Sequence, residues 1–222
     1  MKMNTESAVV HDYNIHKLYR AAAALVAFTI VYNLLEGVVS VYFGIEDESL
    51  TLLGFGADSF IEVMSGIGIA HMIYRIRRNP QEKRDNFERT ALRITGTAFY
   101  ILVAGLVVTS VHNILTGHRP VTTFWGIVIA GISILIMWAL ILAKSKVGRE
   151  LNSPAILADA QCTKVCIYMS LILLGASAIY ELTGIPYIDS IGTLGLAFFS
   201  FKEGKECFEK ASSDNACSCD QC

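Results

Sequence analysis

The sequence predicts an all-α membrane protein, a bundle of six transmembrane helices. Three observations predict it. Of 222 residues, 53% are hydrophobic and only 17% charged, against about 25% charged in a soluble domain. The apolar residues are gathered into six long blocks joined by short polar connectors. None of the blocks alternates with the period of two that a spanning barrel strand shows. Lipid offers no partners to exposed backbone groups, so each block spans as a helix.

A crossing needs roughly 20 apolar residues to pass a hydrocarbon core of about 30 Å. The first block, about 21–44, follows a polar start from Met1 to Arg20 that has no apolar core of signal-peptide type. It is therefore read as a span behind a cytoplasmic tail of residues 1–20, not as a cleaved leader. The second, about 50–76, opens after the acidic run Glu46, Asp47, Glu48 and closes on Arg75, Arg77 and Arg78. The third, about 90–115, follows Lys83, Arg84 and Arg89, and the fourth, about 122–143, leads into Lys144, Lys146 and Arg149. The fifth, about 155–180, and the sixth, about 187–205, precede a short C-terminal segment bearing Lys202, Lys205 and Lys210. Residues 21–205 are thus the transmembrane domain and 206–222 a Cys-rich cytoplasmic tail. Paired small residues such as Gly66 and Gly68, Gly126 and Gly131, Gly192 and Gly195 are read as close helix packing.

Every Lys and Arg except Arg119 and Lys164 falls on alternate connectors or on the termini. Basic connectors stay in the cytoplasm, so both termini face it, in the cell (inner) membrane, and six helices give the required parity. Lys164 lies within the fifth span and is read as snorkelling towards the cytoplasm. The net charge of −2 holds no basic excess, so nucleic acid is not expected as a partner.

Against this apolar background the ionisable groups stand out, since each costs at least about 2.5 kcal/mol at the bilayer centre. Helix 2 carries Asp58 and Glu62 four residues apart, which places both carboxylates on one face. Helix 5 carries Cys162 and Cys166 at the same spacing, with Asp159 one turn nearer the cytoplasm, and helix 1 adds Asn33 and Glu36; Glu36, Asn33 and Asp159 are read as accessory metal or proton groups. Counted from the outer helix ends, Glu62 lies about 18 Å deep and Cys166 about 21 Å. At a shared depth, two carboxylates and two thiolates can surround one tetrahedral cation, which would also neutralise the buried acids. Two cysteines alone would be read as small buried apolar residues. Glu36 is open to four readings: ligand, proton carrier, partner of Asn33 or helper to Asp58.

The C-terminal tail carries Cys207, then Cys217, Cys219 and Cys222 in A-C-S-C-D-Q-C. Cytoplasmic thiols stay reduced, so this is read as thiophilic metal capture rather than a disulfide staple. A passive end or palmitoylated cysteines are the competing readings.

These motifs resemble the transmembrane domain of the cation diffusion facilitator (cation efflux) family. A-D-S-F-I-E on helix 2 is similar to the family's Asp/His-x-x-x-Asp pair, with Asp58 and Glu62 at its positions. A-D-A-Q-C-T-K-V-C on helix 5 is similar to A-D-x-x-H-x-x-x-D, with Cys162 and Cys166 at the ligand positions. I-D-S-I-G resembles the opening of the family's sixth helix. The likeness implies six helices, cytoplasmic termini, a homodimer, and export of a divalent metal against protons, with the metal as cargo and no tightly bound cofactor. Two departures follow. Both helix-5 ligands are Cys, and Glu replaces the second Asp of helix 2. The family's cytosolic ferredoxin-like domain has no counterpart in the expected layout.

The expected function is therefore transport rather than catalysis. Thiolates favour Zn(II), Cd(II) or Hg(II) over Mg(II) and Mn(II), with Cu(I) second because it would leave the carboxylates idle. A metal-sensing or partner-regulating membrane protein of the same fold is the alternative. A thiol oxidoreductase is a weaker third, since redox pairs usually read C-x-x-C.

Overall fold

The computed structural model describes residues 3–78, 86–185 and 187–212. They form six helices and, among the described residues, no strand: α1 (Met3–Glu46), α2 (Leu50–Arg78), α3 (Asn86–Thr116), α4 (Phe124–Glu150), α5 (Pro154–Thr183) and α6 (Tyr187–Ser212). The basic connector 79–85 and the tail residues Cys217, Cys219 and Cys222 lie outside the described residues.

Helix ends overrun the apolar blocks. α1 begins at Met3 rather than near residue 21, α4 continues through the basic stretch to Glu150, and α6 continues past residue 205 to Ser212. Hydropathy marks where lipid begins, whereas a helix propagates until something stops it. No Pro or Gly interrupts residues 3–20. α4 stops only at Leu151–Asn152–Ser153, where Pro154 opens α5 at its first turn. α5 stops at Gly184, whose φ of +65° is the left-handed cap conformation.

Polarity is distributed as in a lipid-embedded bundle. Leu182 is 85% exposed and Leu115 80%, whereas Ser40, Ser133, Thr193 and Ser200 are fully buried. Large apolar side chains face outward and small polar ones line the helix contacts, the reverse of a soluble core. Among the described residues, five segments are long and apolar enough to cross a membrane: Lys17–Glu46, Leu50–Arg75, Arg89–Thr116, Phe124–Glu150 and Asp159–Thr183. α6 falls outside that set because Asp189 at one end and Lys202, Glu203, Lys205 and Glu206 at the other interrupt its apolar run. It packs along α3, with α5 and α2 beside it, so several of its polar groups meet protein instead of lipid.

The helices pair as α1 with α2, α3 with α6 and α4 with α5, and α2 also touches α3, α5 and α6. One apolar cluster joins Leu52, Leu106, Ala130, Met169 and Leu196 from five helices. A second joins Ala22, Ile73, Val147 and Ile156 at the other end, where α1, α3 and α5 begin and α2, α4 and α6 finish.

Two acids fasten the end opposite the termini. Asp189 of α6 accepts from Ser49 Oγ at 2.7 Å and from the Leu50 N–H at 2.8 Å, which caps the first turn of α2 from another helix. Glu181 of α5 likewise accepts from Thr122 Oγ1 and the Thr123 N–H at the start of α4. From the Asp189 cap, α2 and α6 run in the same direction. Thr51 meets Thr193 at 3.1 Å and, two turns further along both helices, Asp58 meets Ser200 at 3.2 Å. This constant register sets which α6 side chain faces Asp58.

α1 and α2 approach at glycines. A Cβ on Gly56 would lie 2.8 Å from the Val41 backbone N, and one on Gly44 2.7 Å from the Leu53 N. Gly56→Ala is expected to destabilise the protein by about 1–3 kcal/mol, since backbone has to move. Gly131→Ala, with nothing within 4 Å of its Cβ, is expected to be neutral or stabilising by up to about 1 kcal/mol. Thermal unfolding in detergent checks the contrast, and equal shifts for the two would refute it.

Candidate metal centre

The buried polar groups converge where α1, α2 and α5 meet. Glu62 and Asp58 leave the same face of α2, one turn apart. Both oxygens of Glu62 are engaged: Cys166 Sγ of α5 donates to Oε1 at 2.7 Å, and Asn33 Nδ2 of α1 donates to Oε2 at 2.8 Å. Glu62 itself is half-buried, as are both cysteines, while Asn33 is buried. The amide orientation of Asn33 follows from this contact, because the reverse would point two oxygens at each other. Its other atom, Oδ1, is buried and accepts no hydrogen bond among the described residues. A carboxylate and a thiol thus meet at one spot, with the Asn33 amide bonded to the same carboxylate. Carboxylate and thiol are donors that suit a cation.

The other expected residues are placed differently. Asp58 is buried and accepts from Ser200 Oγ of α6. Cys162 lies 3.4 Å from Lys210 Nζ, also on α6. Glu36 is buried and accepts from Tyr32 OH at 2.7 Å and from Ser59 Oγ at 3.1 Å, so Asn33 and Glu36 pair with other groups rather than with each other. Among the described residues no three His, Cys, Asp or Glu side chains form a ready-made metal-binding group. The structure brings Glu62, Cys166 and Asn33 together and holds Asp58 and Cys162 one helical turn away on the same two helices, turned to α6.

Asp159 stands as half of an ion pair. Lys144 Nζ of α4 lies 3.0 Å from Asp159 Oδ2 and donates to Thr163 Oγ1 at 3.0 Å, and Lys144 is 1% exposed. This corrects the reading of Lys144 as an orienting charge in a connector: α4 is still helical there, and the side chain turns inward. The signal was present in the sequence. Lys144 and Asp159 lie nearly equal distances either side of the Leu151–Ser153 turn, so an antiparallel helix pair sets them opposite each other. Lys164, by contrast, is exposed.

A family model described as the cation efflux transmembrane domain matches residues 22–214. The chain belongs to the cation efflux family. Comparison with curated proteins gave no match. Membership makes this a membrane protein of a family that transports metal cations, and the match covers α2 to α6 and α1 from residue 22 onward. Sequence reasoning missed four contributors to the site in this cation efflux domain: Ser200 opposite Asp58, Tyr32 on Glu36, and the two inward lysines, Lys144 and Lys210.

Removing one partner of a buried ion pair strands the other. Lys144→Met is therefore expected to destabilise the domain by about 3–5 kcal/mol, and combining it with Asp159→Leu to recover most of that loss. Denaturant unfolding in detergent measures both. A double variant no more stable than the single one would show that the pair is not the origin of the loss.

Proposed function

We propose that the protein exports a thiophilic divalent cation, Zn(II) foremost and Cd(II) next, from the cytoplasm across the cell membrane in exchange for protons. The observation that carries this reading is the contact of Cys166 Sγ with Glu62 Oε1 at 2.7 Å, on a carboxylate whose other oxygen is held by Asn33. A thiol and a carboxylate together suit a borderline-soft ion, whereas Mg(II) and Mn(II) prefer all-oxygen sites. The same contact supports proton coupling. The proton that Cys166 shares with Glu62 sits where a cation would bind, and cysteine binds metal deprotonated, so proton and metal compete for the same atoms. Asp58 and Cys162, adjacent on α2 and α5, complete the four-donor set once they turn from Ser200 and Lys210.

The orientation in the membrane rests on charge distribution, and export from that side on the resemblance to the family. Lys17, Arg20, Arg75, Arg89 and Arg93 lie at the end of the bundle where α1 begins and α6 finishes, while Glu46, Asp47 and Glu48 lie at the other. Basic residues mark the cytoplasmic side. The resemblance to the family extends the reading to a homodimer, and the tail thiols Cys217, Cys219 and Cys222 supply metal capture on that side.

Proteoliposomes test the proposal. Zn(II) and Cd(II) flux is expected to be saturable and driven by a pH gradient, with none for Mg(II). Glu62→Gln is expected to abolish flux for every metal, and Cys166→Ser to lower Zn(II) flux at least about tenfold. Saturable binding with no gradient-driven flux would favour a metal-sensing protein of the same fold instead.

A further inference from the structure

α6 carries a second feature beyond Ser200. Because it remains helical to Ser212, its last turns lie against α5, and Lys210 reaches inward. A charge whose task is only to orient the chain faces water, yet the Lys210 side chain is 13% exposed. Its Nζ stands 3.4 Å from Cys162 Sγ and 2.6 Å from Glu206 Oε1, one turn back on its own helix.

On α5, Asp159, Cys162 and Cys166 follow one another at intervals of three and four residues, which makes a single stripe leading from the terminal end of the bundle to Glu62. The two lower positions of that stripe each face an ammonium group from another helix, Asp159 from Lys144 and Cys162 from Lys210. Lys144 is fully buried and held by two groups of α5, Asp159 and Thr163. Lys210 sits nearer the rim, and Glu206, which it already meets, is on its own helix with a side chain 43% exposed. An outward movement of Lys210 together with Glu206 keeps that ion pair.

We propose that Lys210 is a tethered cation that guards Cys162, its ammonium opposing any cation that comes to that thiol and moving outward together with Glu206 when a thiophilic cation arrives. The inference rests on the reading of Glu62 and Cys166 as the metal centre. An incoming cation has to overcome repulsion from the ammonium, which at this separation and partial burial is substantial. An ion that bonds sulfur recovers that cost at Cys162, and a hard oxygen-seeking ion does not. The guard thus sets both a threshold concentration and a preference for soft metals.

Zn(II) flux into proteoliposomes and Zn(II) titration of the full chain in detergent test it. Lys210→Gln, which keeps reach and polarity but not charge, is expected to lower the half-saturating Zn(II) concentration about tenfold. Lys210→Arg is expected to restore a value well above that of the glutamine variant. Glu206→Gln, which removes the outward partner, is expected to raise it, roughly threefold. An unchanged or raised value for Lys210→Gln overturns the proposal. Should that variant not purify as a folded species, an unchanged or lowered value for Glu206→Gln overturns it. Replacing both Cys162 and Cys166 by Ser separates the two levels of inference. Loss of Zn(II) binding there, with no response in Lys210→Gln, removes the guard and leaves the metal centre standing. Undiminished binding there removes the metal centre itself.

Discussion

Glu62 accepts a hydrogen bond from Cys166 on one oxygen and from Asn33 on the other, so a single carboxylate ties α5 and α1 to α2 in the middle of the bundle. Much of the molecule can be understood as serving this contact. Lipid supplies no water to satisfy a polar side chain, so a carboxylate placed there draws donors from neighbouring helices or is not tolerated. The same constraint governs Glu36 with Tyr32 and Ser59, and Asp58 with Ser200. Each buried acid of α1 and α2 recruits a partner, and together they fix which faces of the helices meet.

The position of that contact along the helices is set at the far end. Asp189 caps α2 and Glu181 caps α4, so the first turns of two helices are held by acids from the two helices that end or begin beside them. From the Asp189 cap the parallel register of α2 and α6 carries through Thr51 and Thr193 to Asp58 and Ser200. The glycines Gly44 and Gly56 let α1 come close enough for Asn33 to reach Glu62. At the opposite end lysines meet the face of α5 that leads to Cys166, Lys144 at Asp159 and Lys210 at Cys162. Caps from acids thus fasten one end, and a second apolar cluster with inward lysines the other.

Much of this was legible in the residues. Six apolar blocks separated by charged connectors foretold the helices, and the i, i+4 pairs Asp58 with Glu62 and Cys162 with Cys166 singled out α2 and α5. Helix ends were less legible, because residues 3–20 and 206–212 are polar enough to leave the membrane without containing anything that stops a helix. Lys144 was misread for the same reason. Its neighbours Lys146 and Arg149 look like a cytoplasmic connector, but the helix runs on beneath them and turns Lys144 inward. Lys210 was likewise counted as an orienting charge until α6 placed it beside Cys162.

The sequence by itself determined the fold class and the number of helices, and it singled out the acids and thiols of α2 and α5. Hydropathy, charge bias and helical spacing are properties of one segment at a time, so they survive without coordinates. Only the tertiary structure decided the partners: Cys166 and Asn33 on Glu62, Ser200 on Asp58, Lys144 on Asp159 and Lys210 on Cys162. A pairing depends on the register and rotation of two helices at once. Those are set by caps, glycines and packed side chains far along the chain from the groups they bring together.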